Sequence, residues 1–168
     1  MENFSLPGDA ELQNLVRELS AKLLEKGWKM VTAESCTGGW IAKCCTDQAG
    51  SSVWFERGYV TYSNDSKVEL LGVDWAVLDG AGAVSREVAR KMAQQGRRRA
   101  GVDISVAVTG VAGPDGGTPE KPVGTVWFGW ALAGRTDAEM ARFSGDRDAV
   151  RRQTVAHALQ GMIDRLDP

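Results

Sequence analysis

The chain has 168 residues, 43 % apolar and 25 % charged, with a formal net charge of −2. That length suits one domain with a full hydrophobic core, and the balanced charge excludes a general nucleic-acid or membrane-surface binder. The apolar runs are too short to span a bilayer, and one histidine, His157, excludes a metal site built on several histidines.

From the N-terminus, Met-Glu-Asn-Phe-Ser lacks the basic-then-apolar layout of a secretory signal. The cysteines, Cys36, Cys44 and Cys45, are odd in number and lack zinc-ligand spacing. Both features predict a cytoplasmic protein with reduced thiols. Asp9 is placed to cap a first helix, with Leu12, Leu15, Val16, Leu19, Leu23 and Leu24 on one apolar face and a stop at Lys26-Gly27. Trp28 to Ala33 follows as a strand, and Gly38 to about Cys45 as a helix. Between them Ser35, Cys36 and Thr37 sit at the switch, with Gly38 and Gly39 next.

Asp47 to Ser52 reads as a loop and Val53 to Ser63 as a strand or hairpin arm rich in β-formers. Ser63-Asn64-Asp65 starts a helix that carries Val68, Leu70 and Leu71 and stops at Gly72. Asp74 to Leu78 allows a further helical turn. Ser85 caps a helix from Arg86 to about Ala100, with Val88, Ala89, Met92 and Ala93 inside. Asp103 to Thr109 is the clearest strand and runs into the loop Gly110 to Gly117. Pro122 to Leu132 is a strand whose antiparallel partner, Ala138 to Phe143, is joined through Gly134. Ser144-Gly145-Asp146 caps a last helix lined by Val150, Thr154, Val155, Ala158, Leu159, Met162, Ile163 and Leu166. No repeat or linker interrupts residues 1–168. The order predicts an α/β single-domain layered sandwich, with a mixed, largely parallel β-sheet flanked by helices.

Four groups of residues bear on chemistry. At Ser35 to Gly39 a strand meets a helix N-terminus, where unpaired N–H groups and the helix dipole favour an anion or oxyanion. The same residues also read as a capping serine and glycines that relieve crowding. The loop from Thr109 to Gly117 has neither a Walker nor a dinucleotide pattern. Its glycines expose N–H groups to a phosphate or carboxylate, or simply make a long turn. If the two preceding strands are parallel neighbours, both loops face one cleft.

Lys67 follows a helix start, against the dipole. It is either an exposed surface lysine or a desolvated one with a lowered pKa, able to act as a general base toward a serine. Arg147 either clamps an anion or pairs with Asp146 or Asp148. Cys36, at an expected helix N-terminus, is a rival nucleophile with a depressed pKa. His157 reads as a core or surface residue.

The segments TAESCTGGWIAK, GSSVWFERGYVTYSNDSK, GAVS, VTGVAGPDGGTPEKPVGTVWF and FSGDRDAVRRQ, in this order, cover most of residues 30–155. In them the chain resembles the C-terminal domain of the CinA (competence/damage-inducible) family, and within it the stand-alone nicotinamide-nucleotide amidohydrolases. The resemblance implies hydrolysis of the carboxamide of nicotinamide mononucleotide (NMN) to nicotinate mononucleotide and ammonia, in pyridine-nucleotide salvage. It implies Ser35 as nucleophile, Lys67 as its base and Tyr62 as an aid to proton transfer or positioning. Thr37, Gly38, Gly39, Thr109, Gly110, Gly113, Gly116, Gly117 and Arg147 become candidate substrate-binding residues. It further implies no metal, no organic cofactor, no nucleic acid or membrane partner, and a homo-oligomer. The alternative is a nucleotide- or partner-binding module with the same pocket and no turnover. A hydrolase built on Cys36 is a second rival.

Overall fold

The computed structural model describes residues 5–167. Residues 1–4, on which most of the N-terminal signal reading rests, lie outside them. The strands are β1 (Met30–Glu34), β2 (Phe55–Val60), β3 (Ile104–Gly110), β4 (Thr125–Leu132) and β5 (Arg135–Arg142). The helices are α1 (Asp9–Lys26), α2 (Trp40–Thr46), α3 (Asn64–Leu71), α4 (Trp75–Ala81), α5 (Arg86–Ala100) and α6 (Arg147–Leu166). One sheet has the order β2-β1-β3-β4-β5. β2, β1 and β3 run parallel, while β4 is antiparallel to both of its neighbours. The sheet is mixed as predicted, and the hairpin from Leu132 to Arg135 turns where Gly134 stands.

Alternation along the central strands sorts the two layers. Ile104, Val106 and Val108 of β3, with Phe128 and Trp130 of β4, pack against α1, α2 and α6. Ala33, Ala107 and Ala131 share a second core with Val88, Met92 and Ala93 of α5 and with Leu71, Val73 and Leu78. Small side chains on that face let α5 lie close, and Ser105 Oγ reaches the Ala93 carbonyl at 2.6 Å. On the other face Trp130 is fully buried, stacks on Phe128 with centroids 5.6 Å apart, and donates to the Ala158 carbonyl at 3.2 Å.

Gly161 makes that last contact possible, because a Cβ there would lie 2.2 Å from Trp130 Cζ2. Gly161→Ala is therefore expected to destabilise the fold by roughly 2–3 kcal/mol, since neither the helix nor the ring has room to move. Urea or thermal unfolding measures this directly, and an unchanged midpoint would contradict the packing.

Several local expectations are corrected. Gly8, not Asp9, is the N-cap of α1. Asp9 is instead the first helical residue and pairs with Arg152 at 2.6 Å. Leu24 and Leu70 face solvent, at 51 % and 43 % exposure, because their stripes are narrower than the sequence pattern suggests. The short turn expected at Asp74 to Leu78 extends as α4 to Ala81. α2 begins at Trp40, after an αL cap at Gly39, and not at Gly38. The three cysteines are free and buried. No helix among the described residues is long and apolar enough to cross a membrane.

Candidate active site

β1 and β3 are parallel neighbours, with Glu34 opposite Val108. The turn after β1 and the loop after β3 therefore leave the same end of the sheet, where ligands of open α/β sheets bind. β2 ends at the same level, since Thr61 N donates to the Glu34 carbonyl at 2.8 Å. It delivers Tyr62 and the start of α3 to the cleft. Ser63 caps α3 by accepting from Ser66 N. One turn on, Lys67 is carried back beneath the end of β2.

These placements bring Lys67 Nζ within 3.1 Å of Ser35 Oγ. Nζ also donates to the carbonyls of Thr61 at 2.9 Å and Tyr62 at 3.1 Å. Lys67 is 1 % exposed and Ser35 8 % exposed. No carboxylate pairs with Lys67 among the described residues, so burial outweighs the smaller upward pull of Cys36 and brings its pKa down to about 8. A buried amine that titrates there is available as a neutral base.

The rival nucleophile moves the other way. Burial, with Glu34 adding to it, pushes the Cys36 thiol up to about 12. The expected depression required a free helix N-terminus at this point. α2 begins four residues later, and the Glu34 carboxylate occupies its first amides. It accepts from Ile41 N at 2.8 Å and Ala42 N at 3.0 Å. The same carboxylate accepts from Thr37 Oγ1 at 2.7 Å. The helix end thus caps itself with a buried side chain and is not an open anion site.

A cavity of about 310 Å³ opens over the dyad. Ser35, Cys36, Tyr62, Asn64, Lys67, Thr109, Gly110, Gly113, Asp115, Gly116 and Arg147 line it. Its volume is that of a small-molecule site. Thr109 Oγ1 is spent on the Ala83 carbonyl at 2.8 Å. Arg147 Nη1 donates to the Gly113 carbonyl at 2.7 Å, and Nη2 to the Tyr62 phenol oxygen at 3.1 Å. Arg147 therefore ties the glycine loop to Tyr62 and leaves Asp146 to cap α6. Tyr62 is 60 % exposed. It meets Lys67 through its carbonyl, while its phenol stands at the mouth.

Four candidates fall outside this cavity. Thr37, Gly38 and Gly39 line a separate one of about 520 Å³, with Trp40, Arg151 and Arg152. Gly117 packs against Val123, where a Cβ would meet Val123 N at 2.8 Å. Conversely, the sequence reading missed Asn64, Asp115, Glu34 and Arg151. Asn64 and Asp115 lie inside segments already singled out. Glu34 carried a usable signal: a carboxylate ending an apolar strand conflicts with burial unless it is fully hydrogen-bonded. Arg151 is four residues beyond Arg147, on the same side of α6. Among the described residues no group of three or more His, Cys, Asp or Glu is arranged to hold a metal ion.

Comparison with known proteins agrees with this architecture. A nicotinamide-nucleotide amidohydrolase PncC of Enterobacter agglomerans is 54 % identical over 153 residues, covering 90 % of this chain and 93 % of the relative. The protein of that name from Escherichia coli (strain K12) is 53 % identical over the same shares of both chains. Among solved structures, the competence/damage inducible protein CihA from Agrobacterium tumefaciens superposes with a TM-score of 0.91 at 41 % identity, covering 98 % of this chain and 99 % of that one. The model of the CinA C-terminal domain matches residues 12–166, and the chain belongs to that family.

Proposed function

We propose that this chain hydrolyses the carboxamide of NMN to nicotinate mononucleotide and ammonia through Ser35 and Lys67, as a cytoplasmic enzyme of pyridine-nucleotide salvage. The observation that carries the reading is the 3.1 Å contact between a buried lysine and a serine on the floor of a ligand-sized cavity. The names of relatives at 53–54 % identity support the substrate.

In this reading neutral Lys67 takes the proton of Ser35 Oγ as the oxygen attacks the carboxamide carbon. The amides of Cys36 and Thr37 donate to no other residue's backbone carbonyl among the described residues, and they are the donors nearest in sequence to Ser35 for the developing oxyanion. Protonated Lys67 then hands its proton to the departing ammonia. Water attacks the nicotinoyl ester, with Lys67 again as base. The chemistry is acyl transfer and calls for neither a metal nor an organic cofactor. Thr109, Gly110, Gly113 and Gly116 shape the wall of the cavity. Tyr62 and Arg147 stand at its mouth, where a phosphate would sit.

Purified protein incubated with NMN should release ammonia and nicotinate mononucleotide in equal amounts. Saturable NMN binding without ammonia would replace this reading with that of a binding module. Arg147→Ala is expected to raise KM for NMN about ten- to a hundred-fold, the worth of a charge-assisted hydrogen bond, with a smaller effect on kcat. An unchanged KM would remove Arg147 from the phosphate. Assembly as a homo-oligomer belongs to the same reading, and light scattering tests it.

A further inference from the structure

The turn that carries Ser35 is gripped by two residues that do not line the dyad's cavity. Arg151 reaches it from α6, donating Nε to the Cys36 carbonyl at 3.0 Å and Nη2 to the Thr37 carbonyl at 3.1 Å. Its guanidinium lies over the Trp40 ring, 5.4 Å from the centroid, which limits its own freedom. At the other end Glu34, fully buried, accepts from Thr37 Oγ1 and from the first amides of α2. The turn is closed on itself by Gly38 N, which donates to the Ser35 carbonyl at 3.0 Å.

This grip has a direction. In a trans peptide the C=O and the following N–H point opposite ways. Holding the Cys36 carbonyl toward Arg151 therefore turns the Thr37 N–H away from Arg151. Arg151 lines one cavity with Thr37 and Gly38, whereas Ser35 and Cys36 line the other. The turn is the wall between them, so the side away from Arg151 is the side of the nucleophile.

We propose that Arg151 is a positioning residue for the reaction, fixing the Cys36 and Thr37 peptides so that the Thr37 N–H faces the oxyanion beside Ser35 Oγ, with Glu34 anchoring the far end. The inference rests on the Ser35–Lys67 reading above. An oxyanion donor matters only as charge develops on the carboxamide oxygen. Loosening the peptide that carries it should lower kcat and leave substrate binding in place. A merely structural arginine would instead cost stability and leave kcat per folded molecule intact.

The test compares wild type, Ser35→Ala, Arg151→Ala and Arg151→Lys by ammonia release from NMN. Arg151→Ala is expected to lose about thirty- to three-hundred-fold in kcat, as misplaced oxyanion donors do, with KM changed by less than about three-fold. Its rate should rise again with added guanidinium ion. The pH midpoint near 8 should stay, because Lys67 is untouched. Arg151→Lys, with a single donor nitrogen in place of the Nε and Nη2 that hold the two carbonyls, should fall between. A folded Arg151→Ala within about two-fold of wild-type kcat, a loss confined to KM, or failure of both variants to fold overturns the inference. If wild type releases ammonia and Ser35→Ala does not, any such result counts against Arg151 alone. A wild type that releases none removes the dyad reading and this inference with it.

Discussion

Replacing Ser35 by alanine is expected to reduce ammonia release from NMN by at least about a thousand-fold, with little change in unfolding midpoint. The magnitude follows from losing the atom that forms the acyl bond, which ordinary positioning effects cannot replace. Stability should hold because, among the described residues, Ser35 Oγ makes two hydrogen bonds, to Lys67 at 3.1 Å and a long one to the Tyr62 carbonyl at 3.5 Å. Cys36→Ala is the paired control. Its thiol is pushed up to about 12 by burial and by Glu34, so almost none is thiolate at neutral pH. It should keep most of the activity. Turnover that survives Ser35→Ala and disappears in Cys36→Ala would transfer the nucleophile to the neighbouring residue.

The second large effect is the pH dependence set by Lys67. A base must be neutral to work, so kcat/KM should rise with pH through a midpoint near 8, where burial places the Lys67 pKa. Lys67→Met should lose both the rate and this rise. A profile of unchanged shape in the variant would reject Lys67 as the base.

The same group links pH to stability, with a definite sign. Folding lowers Lys67 from its ordinary value of 10.5 to about 8. Below pH 8 the lysine is protonated in both states and its desolvation is fully felt. Between about 8 and 10.5 the unfolded chain binds more protons than the native one, so stability rises with pH. The full range amounts to about 3 kcal/mol. Wild type should therefore gain on Lys67→Met by up to that amount between pH 7 and 10.5. Denaturant midpoints measured for both proteins at the two ends supply the comparison. A gain on lowering the pH would reverse the assignment.

Much of the molecule was legible in the chain itself. The stripe of α6 from Val150 to Leu166, the caps at Ser63, Ser85 and Asp146, and the hairpin about Gly134 are all local: a few neighbouring residues and their periodicity determine them. The family segments marked Ser35, Lys67, Tyr62, Thr109 and Arg147, and the structure brings all five to one cavity.

Other outcomes depended on how those elements pack. Ser35 and Lys67 lie 32 positions apart, and only the parallel register of β1 with β2 and β3 sets them together. Whether Lys67 was a surface amine or a buried base could not be read from its spacing, because the answer is the burial itself. The fate of Cys36 was likewise decided by tertiary structure. Glu34 folds into the first turn of α2 and fills the helix end that would have favoured a thiolate, while Gly38, Gly39 and the Thr37 carbonyl lie on the Arg151 side of the wall. Sequence sets which groups are present and what each stretch prefers, while a pKa or a catalytic contact is a property of the surroundings, and those surroundings come from parts of the chain that local preference does not reach.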